Sequence, residues 1–216
     1  MRTLAVLPVK RFALAKQRLG ERLSPEQREA LAKAMVKDTL SALMVVSELD
    51  GVLVVTNEPS VAAVAQGLGA LVAADPTESG QSDAAAVGIA QALARGIERV
   101  LLVPGDCPAL DSEEVAALLR APTGERSVLV VPDRHGAGTN ALLLSPPDVI
   151  EPGFGPGSFE RHRERAAQAA AELTVARPAT LLLDIDTPAD LAALLDGPSW
   201  RAPRTRSAYT AALSRH

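Results

Sequence analysis

Through the first 120 residues, short apolar runs alternate with longer stretches of helical spacing. Thr3 to Pro8, Gly51 to Thr56, Ala70 to Ala73 and Val100 to Val103 read as strands, each rich in β-branched or aliphatic residues and each stopped by polar residues, Pro or Gly. Ser24-Pro25-Glu26-Gln27 opens a long helix as a capping box, and Leu31, Met35, Thr39, Ala42 and Val46 keep its apolar spacing to the end. A helix of about ten residues follows Asn57-Glu58-Pro59. An Ala-rich helix runs from Ala84 to Arg95, capped by Ser82 or Asp83, and Asp111-Ser112-Glu113-Glu114 opens another as a capping box that runs to Arg120. Strict strand–helix alternation predicts a parallel, doubly wound sheet with right-handed crossovers.

Beyond residue 120 the pattern changes. Val128 to Val131 and Ala141 to Leu144 are strands on either side of a nine-residue loop, Pro132 to Asn140. A helix from Phe159 to about Leu173 and a last strand, Thr180 to Leu183, come next. Thr187-Pro188-Ala189-Asp190 then opens a helix as a capping box, which gives Asp190 a sufficient structural role. Pro198 to His216 is polar, Arg-rich and without a clear period, and reads as a loosely attached tail or docking arm. The expected organisation is one α/β domain over residues 1–197, with a mostly parallel central sheet and helices on both faces, and a polar C-terminal tail over 198–216.

Composition narrows the chemistry. A formal net charge of -4 with 2 % aromatic residues lacks the basic footprint and stacking platforms of a nucleic-acid binder. No apolar run reaches membrane-spanning length, and the N-terminal one is too short for the core of a signal peptide. The single cysteine, Cys107, excludes an internal disulfide framework and suits a reducing compartment, so a cytoplasmic protein acting on a small molecule is expected. Cys107 itself has no companion to make it a nucleophile and reads as packing beside a turn. The lysines, Lys10, Lys16, Lys33 and Lys37, all fall within the first 37 residues, which gives that segment an electrostatic character of its own.

Candidate chemistry gathers where strands end. Val100-Leu101-Leu102-Val103-Pro104-Gly105-Asp106 delivers an acid to the C-terminal edge of a strand, the edge at which open α/β sheets bind ligands. A turn aspartate bonding its own loop fits this segment equally well. Lys10, Arg11, Lys16 and Arg18, just past the first strand, suit a polyphosphate, although a solvated basic loop uses the same residues. Gly80 to Asp83 leads into a helix whose first amides can receive a base or a phosphate, and capping alone explains it almost as well. Gly136-Ala137-Gly138-Thr139-Asn140, with Arg134 nearby, and Gly155-Pro156-Gly157-Ser158 at a helix start can both present amides and hydroxyls to an anion, although a long hairpin loop and a Gly/Pro loop capped by Ser158 use the same residues. One shared acidic substrate is the economical reading of the two. Asp184 and Asp186 alternate along an extended segment and so point the same way, as two ligands of one hard cation would. His135 and His162 are isolated, lack zinc spacing and read as surface or supporting residues.

Five segments together resemble a known family. Pro8-Val9-Lys10 with Ala15-Lys16-Gln17-Arg18-Leu19, Pro104-Gly105-Asp106-Cys107-Pro108, Gly138-Thr139-Asn140-Ala141, Phe154-Gly155-Pro156-Gly157-Ser158 and Asp184-Ile185-Asp186-Thr187-Pro188 are similar to the guanylyltransferases of coenzyme F-420 biosynthesis, in order from about residue 3 to 195. The resemblance implies a single-domain Rossmann-like nucleotidyltransferase fold. It implies GTP and a small phosphorylated carboxylic acid as substrates, phosphoenolpyruvate or 2-phospho-L-lactate, with pyrophosphate released. It further implies Mg2+ held by Asp106, Asp184 and Asp186, with Asp106 and Lys16 catalytic. Thr139, Asn140, Gly155 and Ser158 would bind the acid, and Pro8, Lys10, Lys16, Arg18, Gly80 and Ser82 the nucleotide. A homodimer is compatible with this reading. One departure bears on the guanine contacts: Gly80-Gln81-Ser82-Asp83 stands where many relatives carry Gly-Leu-Asn.

Three competing readings fit less of the chain. Molybdopterin and sugar nucleotidyltransferases open with a glycine-rich Leu-Ala-Gly-Gly type loop, where this chain has Leu7-Pro8-Val9-Lys10. A haloacid-type phosphatase would need Thr where Pro188 stands, and would carry its paired acids on the first strand. A nucleotide-sensing module without turnover would be expected to have a broken acid set.

Overall fold

The computed structural model describes residues 1–12, 16–122 and 124–214. Ala15 of the N-terminal motif and the last two residues of the tail lie outside them. A seven-stranded sheet forms the centre, in the order β3-β2-β1-β4-β6-β5-β7. Strands β1 (Thr3–Pro8), β2 (Gly51–Val55), β3 (Leu71–Ala73) and β4 (Arg99–Leu102) are parallel neighbours, joined through α1 (Pro25–Leu43), α2 (Pro59–Gly67) and α3 (Gln81–Leu93). After α4 (Ser112–Arg120), β5 (Ser127–Pro132) and β6 (Thr139–Ser145) form a hairpin. β6 inserts antiparallel between β4 and β5, and β7 (Glu172–Val175) closes the sheet parallel to β5 after α5 (Ser158–Gln168). Helices α6 (Pro188–Asp196) and α7 (Pro203–Leu213) complete the chain.

Alternation along the strands sorts the core. Ala5, Leu7, Val54, Leu101 and Leu143 face α1, α2 and α4, while Leu4, Val6, Leu53, Leu102 and Leu142 face α3 and α5. α3 lies so close to β1 that a Cβ at Gly88 would stand 2.2 Å from a Val6 methyl, so this crossing requires glycine. A third cluster, Leu31, Met35, Ile185, Leu191, Tyr209 and Ala212 among others, lies off the sheet where α1 meets α6 and α7.

Several expectations need correction. α1 ends at Leu43 rather than Val46. The cap of α3 is Gly80, with neither Ser82 nor Asp83 outside the helix. Asp111 does cap α4, accepting from the amides of Glu113 and Glu114, but the Glu114 carboxylate does not reach back; it accepts from the Thr180 amide and hydroxyl at 2.9 and 2.6 Å. Thr139 and Asn140 belong to β6 and not to the loop before it. α5 stops at Gln168, and Leu173 lies on β7, an exposed edge strand whose polar–apolar mixture hid it inside the helical reading. Thr180 to Leu183 is a turn, not a strand.

The tail is the largest revision. α7 packs along α1: the buried Asp38 carboxylate accepts from the Thr205 amide and hydroxyl, both at 2.8 Å, and from the Arg204 amide at 3.3 Å. Gln27 Nε2 donates to the Ala212 carbonyl at 2.9 Å. An acid on α1 thus caps a helix that carries no cap of its own.

Candidate active site

The loops that leave β1, β2, β3 and β4 emerge along one edge of the sheet, because the four strands run the same way. They enclose a cleft of about 550 Å³ whose lining includes Pro8, Lys10, Lys16, Gln81, Asp106 and Asp186. At its floor Lys16 Nζ lies 2.8 Å from Asp106 Oδ2 and 2.9 Å from Asp186 Oδ1. The Lys16 side chain is only 9 % exposed. Burial alone depresses its pKa, but the two carboxylates more than offset this and hold the ammonium above its ordinary value. Arg18 is farther out, largely exposed, and reaches Asp186 Oδ2 at 3.8 Å.

Asp184 and Asp186 reach Asp106 by a route the sequence does not display. No strand delivers them. The Ile185 side chain is buried in the third core cluster and its amide donates to the Asp106 carbonyl at 3.0 Å, which stitches the two segments together and leaves the flanking acids beside Asp106. Thr180, held by Glu114, anchors the approach to this segment.

The acids differ in state. Asp184 is pushed up to about 6, first by burial and then by the Asp106 charge, and the hydrogen bond from Asn140 Nδ2 at 3.2 Å offsets part of that rise. Asp106 Oδ1 is buried with no hydrogen-bond partner among the described residues. An orphaned carboxylate oxygen beside a second acid that resists ionisation is a donor set suited to a hard cation. Among the described residues, however, no group of three or more His, Cys, Asp or Glu side chains is arranged to hold a metal ion, and the Lys16 ammonium stands between Asp106 and Asp186 instead.

A second constellation lies beside the first. Register shifts between Val131 and Pro132, so Pro132 pairs with Thr139 and Val131 with Ala141, leaving Asn140 as the extra residue. Such an irregularity re-aims side chains. Asn140 reaches Asp184, while Thr139 Oγ1 meets His162 Nδ1 at 3.0 Å and Ser158 Oγ at 3.1 Å. Gly155 and Gly157, both left-handed at φ +102 and +71, fold the segment before α5 over this cluster. Thr139, Asn140, Gly155 and Ser158 therefore group together but do not line the 550 Å³ cleft. Asn140 is the link between the two groups.

His162 is buried, not a surface residue, and burial, assisted by the nearby Arg165 and Arg161 charges, lowers its pKa from 6.5 to about 4. The sign follows from linkage: between those two values the unfolded chain takes up a proton that the folded chain refuses. This contribution is complete above pH 6.5 and is lost as pH falls toward 4. His162→Gln should therefore flatten the acid side of the stability curve by at most about 3 kcal/mol, read from urea midpoints between pH 7 and 4. An unchanged slope would show that His162 is not the group responsible.

The residues expected to face the nucleotide are placed differently from that reading. Ser82 turns away from the cleft and its hydroxyl accepts from the Phe154 amide at 2.9 Å, while Gln81 lines the cleft in its place. Gly80 serves as the cap of α3 and does not line the cleft. Arg11 of the cationic loop lines it as well, with Asn57 and Glu78, which sequence reading did not assign to the site. The Arg11 guanidinium holds the Glu78 carboxylate at 2.8 Å, and with help from Asn57 keeps it down at about 2. Only the cationic character of the loop after β1 pointed toward Arg11, and nothing in spacing pointed to Glu78. Cys107 is buried at the turn and its thiol is pushed up by burial, so it has no nucleophilic role here.

The family model described as "Guanylyl transferase CofC like" matches residues 3–201. A phosphoenolpyruvate guanylyltransferase of Conexibacter woesei is 47 % identical over 195 residues, covering 90 % of this chain and 87 % of that protein. One of Sphaerobacter thermophilus is 41 % identical over 191 residues, covering 88 % and 91 %. Among solved structures, a putative nucleotide-diphospho-sugar transferase from Desulfovibrio desulfuricans G20 superposes with a TM-score of 0.71 at 20 % identity, covering 90 % of this chain and 87 % of that one. A CMP:2-keto-3-deoxy-manno-octonic acid synthetase gives 0.58 at 12 % identity, covering 90 % and 97 %. These last two bear on the fold alone, a single α/β nucleotidyltransferase-like domain.

Proposed function

The chain belongs to the CofC-like guanylyl transferase family, and from that premise we propose that it transfers GMP from GTP to phosphoenolpyruvate, releasing pyrophosphate, in coenzyme F-420 biosynthesis. The observation that carries the reading is Lys16, clasped at 2.8 and 2.9 Å by Asp106 and Asp186 beneath a cleft large enough for a nucleotide.

In the reaction an oxygen of the substrate phosphate forms a bond to the α-phosphorus of GTP, and the bond from that phosphorus to the bridging oxygen of pyrophosphate breaks. A phosphate monoester is already anionic near neutral pH, so no strong general base is needed. The barrier is electrostatic: like unit charges about 4 Å apart repel by roughly 1 kcal/mol in water and several-fold more in a partly dry site. Lys16 is the buried cation nearest the acids, and with Lys10 and Arg18 it would neutralise charge that builds on the leaving pyrophosphate. Pro8 and Gln81 would contact the nucleoside. Thr139, Ser158 and the amides around Gly155 would orient the acid, and Asn140 would keep that subsite in register with Asp184.

Mg2+ belongs to the proposal through the orphaned Asp106 oxygen and the Asp184 carboxyl that resists ionisation, with Asp106, Asp184 and Asp186 as the residues that would hold it in place of the Lys16 ammonium. When bound it would supply charge neutralisation at the reacting phosphates. No helix among the described residues is long and apolar enough to cross a membrane.

The test supplies GTP and Mg2+ with phosphoenolpyruvate, 2-phospholactate or 3-phosphoglycerate in separate reactions and identifies the nucleotide product by mass. A guanylylated phosphoenolpyruvate supports the reading, product from another acid alone reassigns the substrate, and no product from any acid removes it. Ser82 provides a finer check. As it anchors the loop at Phe154 and turns from the cleft, Ser82→Ala should raise KM for the acid about three- to tenfold with KM for GTP unchanged. Gln81→Ala should do the reverse. A shift in the GTP value on changing Ser82 would restore it to the nucleotide site.

A further inference from the structure

The loop from Gly153 to Gly157 and the hydroxyl of Thr139 both depend on one imidazole. His162 lies inside α5 with 0 % exposure, and its Nε2 accepts from the Gly153 amide at 2.9 Å. A nitrogen that accepts carries no proton, so in the neutral ring the proton sits on Nδ1 and is donated to Thr139 Oγ1 at 3.0 Å. Ser158 Oγ donates to the same Thr139 oxygen at 3.1 Å. A hydroxyl oxygen has two lone pairs, and both are now engaged. The proton of the Thr139 hydroxyl is thereby left to donate to a third group.

We propose that His162 is a positioning residue for the acid substrate: it makes Thr139 an oriented hydrogen-bond donor to an anionic oxygen and pins the start of the glycine loop through Gly153. This rests on the reading that Thr139 and the Gly155–Ser158 segment receive the phosphorylated acid. Two further contacts agree with a loop built around this ring. Phe154 packs edge-on against it, with centroids 5.5 Å apart and planes at 72°. Arg161, the neighbour of His162 in α5, donates to the carbonyls of Gly153 at 2.6 Å and Pro156 at 3.0 Å. Burial keeps the ring in the neutral form that the scheme requires.

Two amides divide the roles of the ring. His162→Asn keeps an N–H near the Nδ1 position and loses the acceptor for Gly153; His162→Gln keeps an acceptor near Nε2 and loses the donor to Thr139. His162→Phe removes both and keeps the ring volume. Steady-state kinetics with GTP and phosphoenolpyruvate should show KM for the acid raised about tenfold or more in the Phe variant and by less in each amide variant. KM for GTP should stay within about twofold, since uniform loss of binding at one subsite does not touch the other. Should the Phe variant fail to fold, the two amide variants carry the same comparison. An unchanged acid KM in variants that fold, or acid and GTP values rising together, would overturn the proposal while the wild-type reaction stands. A wild type that makes no product from phosphoenolpyruvate overturns the functional reading itself, and the positioning role with it.

Discussion

Asp106→Asn is expected to fold normally and to release pyrophosphate about a thousandfold more slowly or worse with GTP, Mg2+ and phosphoenolpyruvate. The substitution keeps the shape of the side chain and removes its charge. Three features of the site depend on that charge. It holds Lys16 Nζ at 2.8 Å, it raises the Asp184 pKa, and it leaves Oδ1 buried without a partner. An amide cannot serve as the anionic half of a cation site, so the loss falls on the step at which charge moves from the α-phosphorus to pyrophosphate. Stability should change little, because the lost attraction to Lys16 is set against relief of the repulsion with Asp184. Relieved of its charged neighbour, Asp184 should also titrate nearer its ordinary value. Turnover within about tenfold of wild type would remove Asp106 from the catalytic set.

Lys16→Met should cost both activity and stability. Turnover should fall about a hundred- to a thousandfold, since the cation is at the floor of the cleft and no other described cation lies within ion-pair distance of both Asp106 and Asp186. Breaking a buried ion pair costs about 3–5 kcal/mol, but Asp106 and Asp186 are 29 % and 44 % exposed and water screens what remains, so about 1–2 kcal/mol is expected. The pH dependence has a definite sign. Because the Lys16 pKa is raised in the fold, its contribution is fully present below the ordinary value of 10.5 and is lost only as pH rises past it. The full destabilisation of the variant relative to wild type should accordingly be present at pH 8, where Lys16 and the acids around it are charged, measured by denaturant midpoint. Millimolar Mg2+ should raise its thermal midpoint more than that of wild type, because the acids no longer hold a resident ammonium. An activity loss without any change in either midpoint would separate Lys16 from the acid cluster.

Local chemistry explains which features were legible in the chain. The capping boxes at Ser24 and Thr187 form as read, because each closes within four residues and needs no distant partner. β1 and β4 are fully buried runs, unmistakable by their apolar composition. The exposed edge strand β7 is a different matter. Glu172-Leu173-Thr174-Val175 sets Leu173 and Val175 on one face but leaves both exposed, and an alternation of four residues is too short to separate it from the end of α5. Helix α7 was invisible for a related reason: its cap is Asp38, 167 residues away from Thr205, and its weak apolar stripe has meaning only against the side of α1 that the sheet leaves uncovered.

The site divides along the same line. The sequence by itself determined the residue types, a pair of acids near the end and glycine with hydroxyl segments among them, and it determined the edge of emergence only for the lysine after the first strand and the acid after the fourth. β1 to β4 run parallel, so their ends point one way, and their largely apolar runs are placed by local composition. Tertiary structure alone decided the pairings. Ile185 donates to the Asp106 carbonyl and so brings acids 78 positions apart (184 − 106) into one cluster without a strand to carry them. The β6 irregularity sends Thr139 to His162 and Asn140 to Asp184, and Ser82 leaves the cleft for Phe154. Each of these is a hydrogen bond between segments distant in sequence. Spacing along a chain records which groups are neighbours on one element, whereas the partner of a side chain at the sheet edge is set by how separate elements pack.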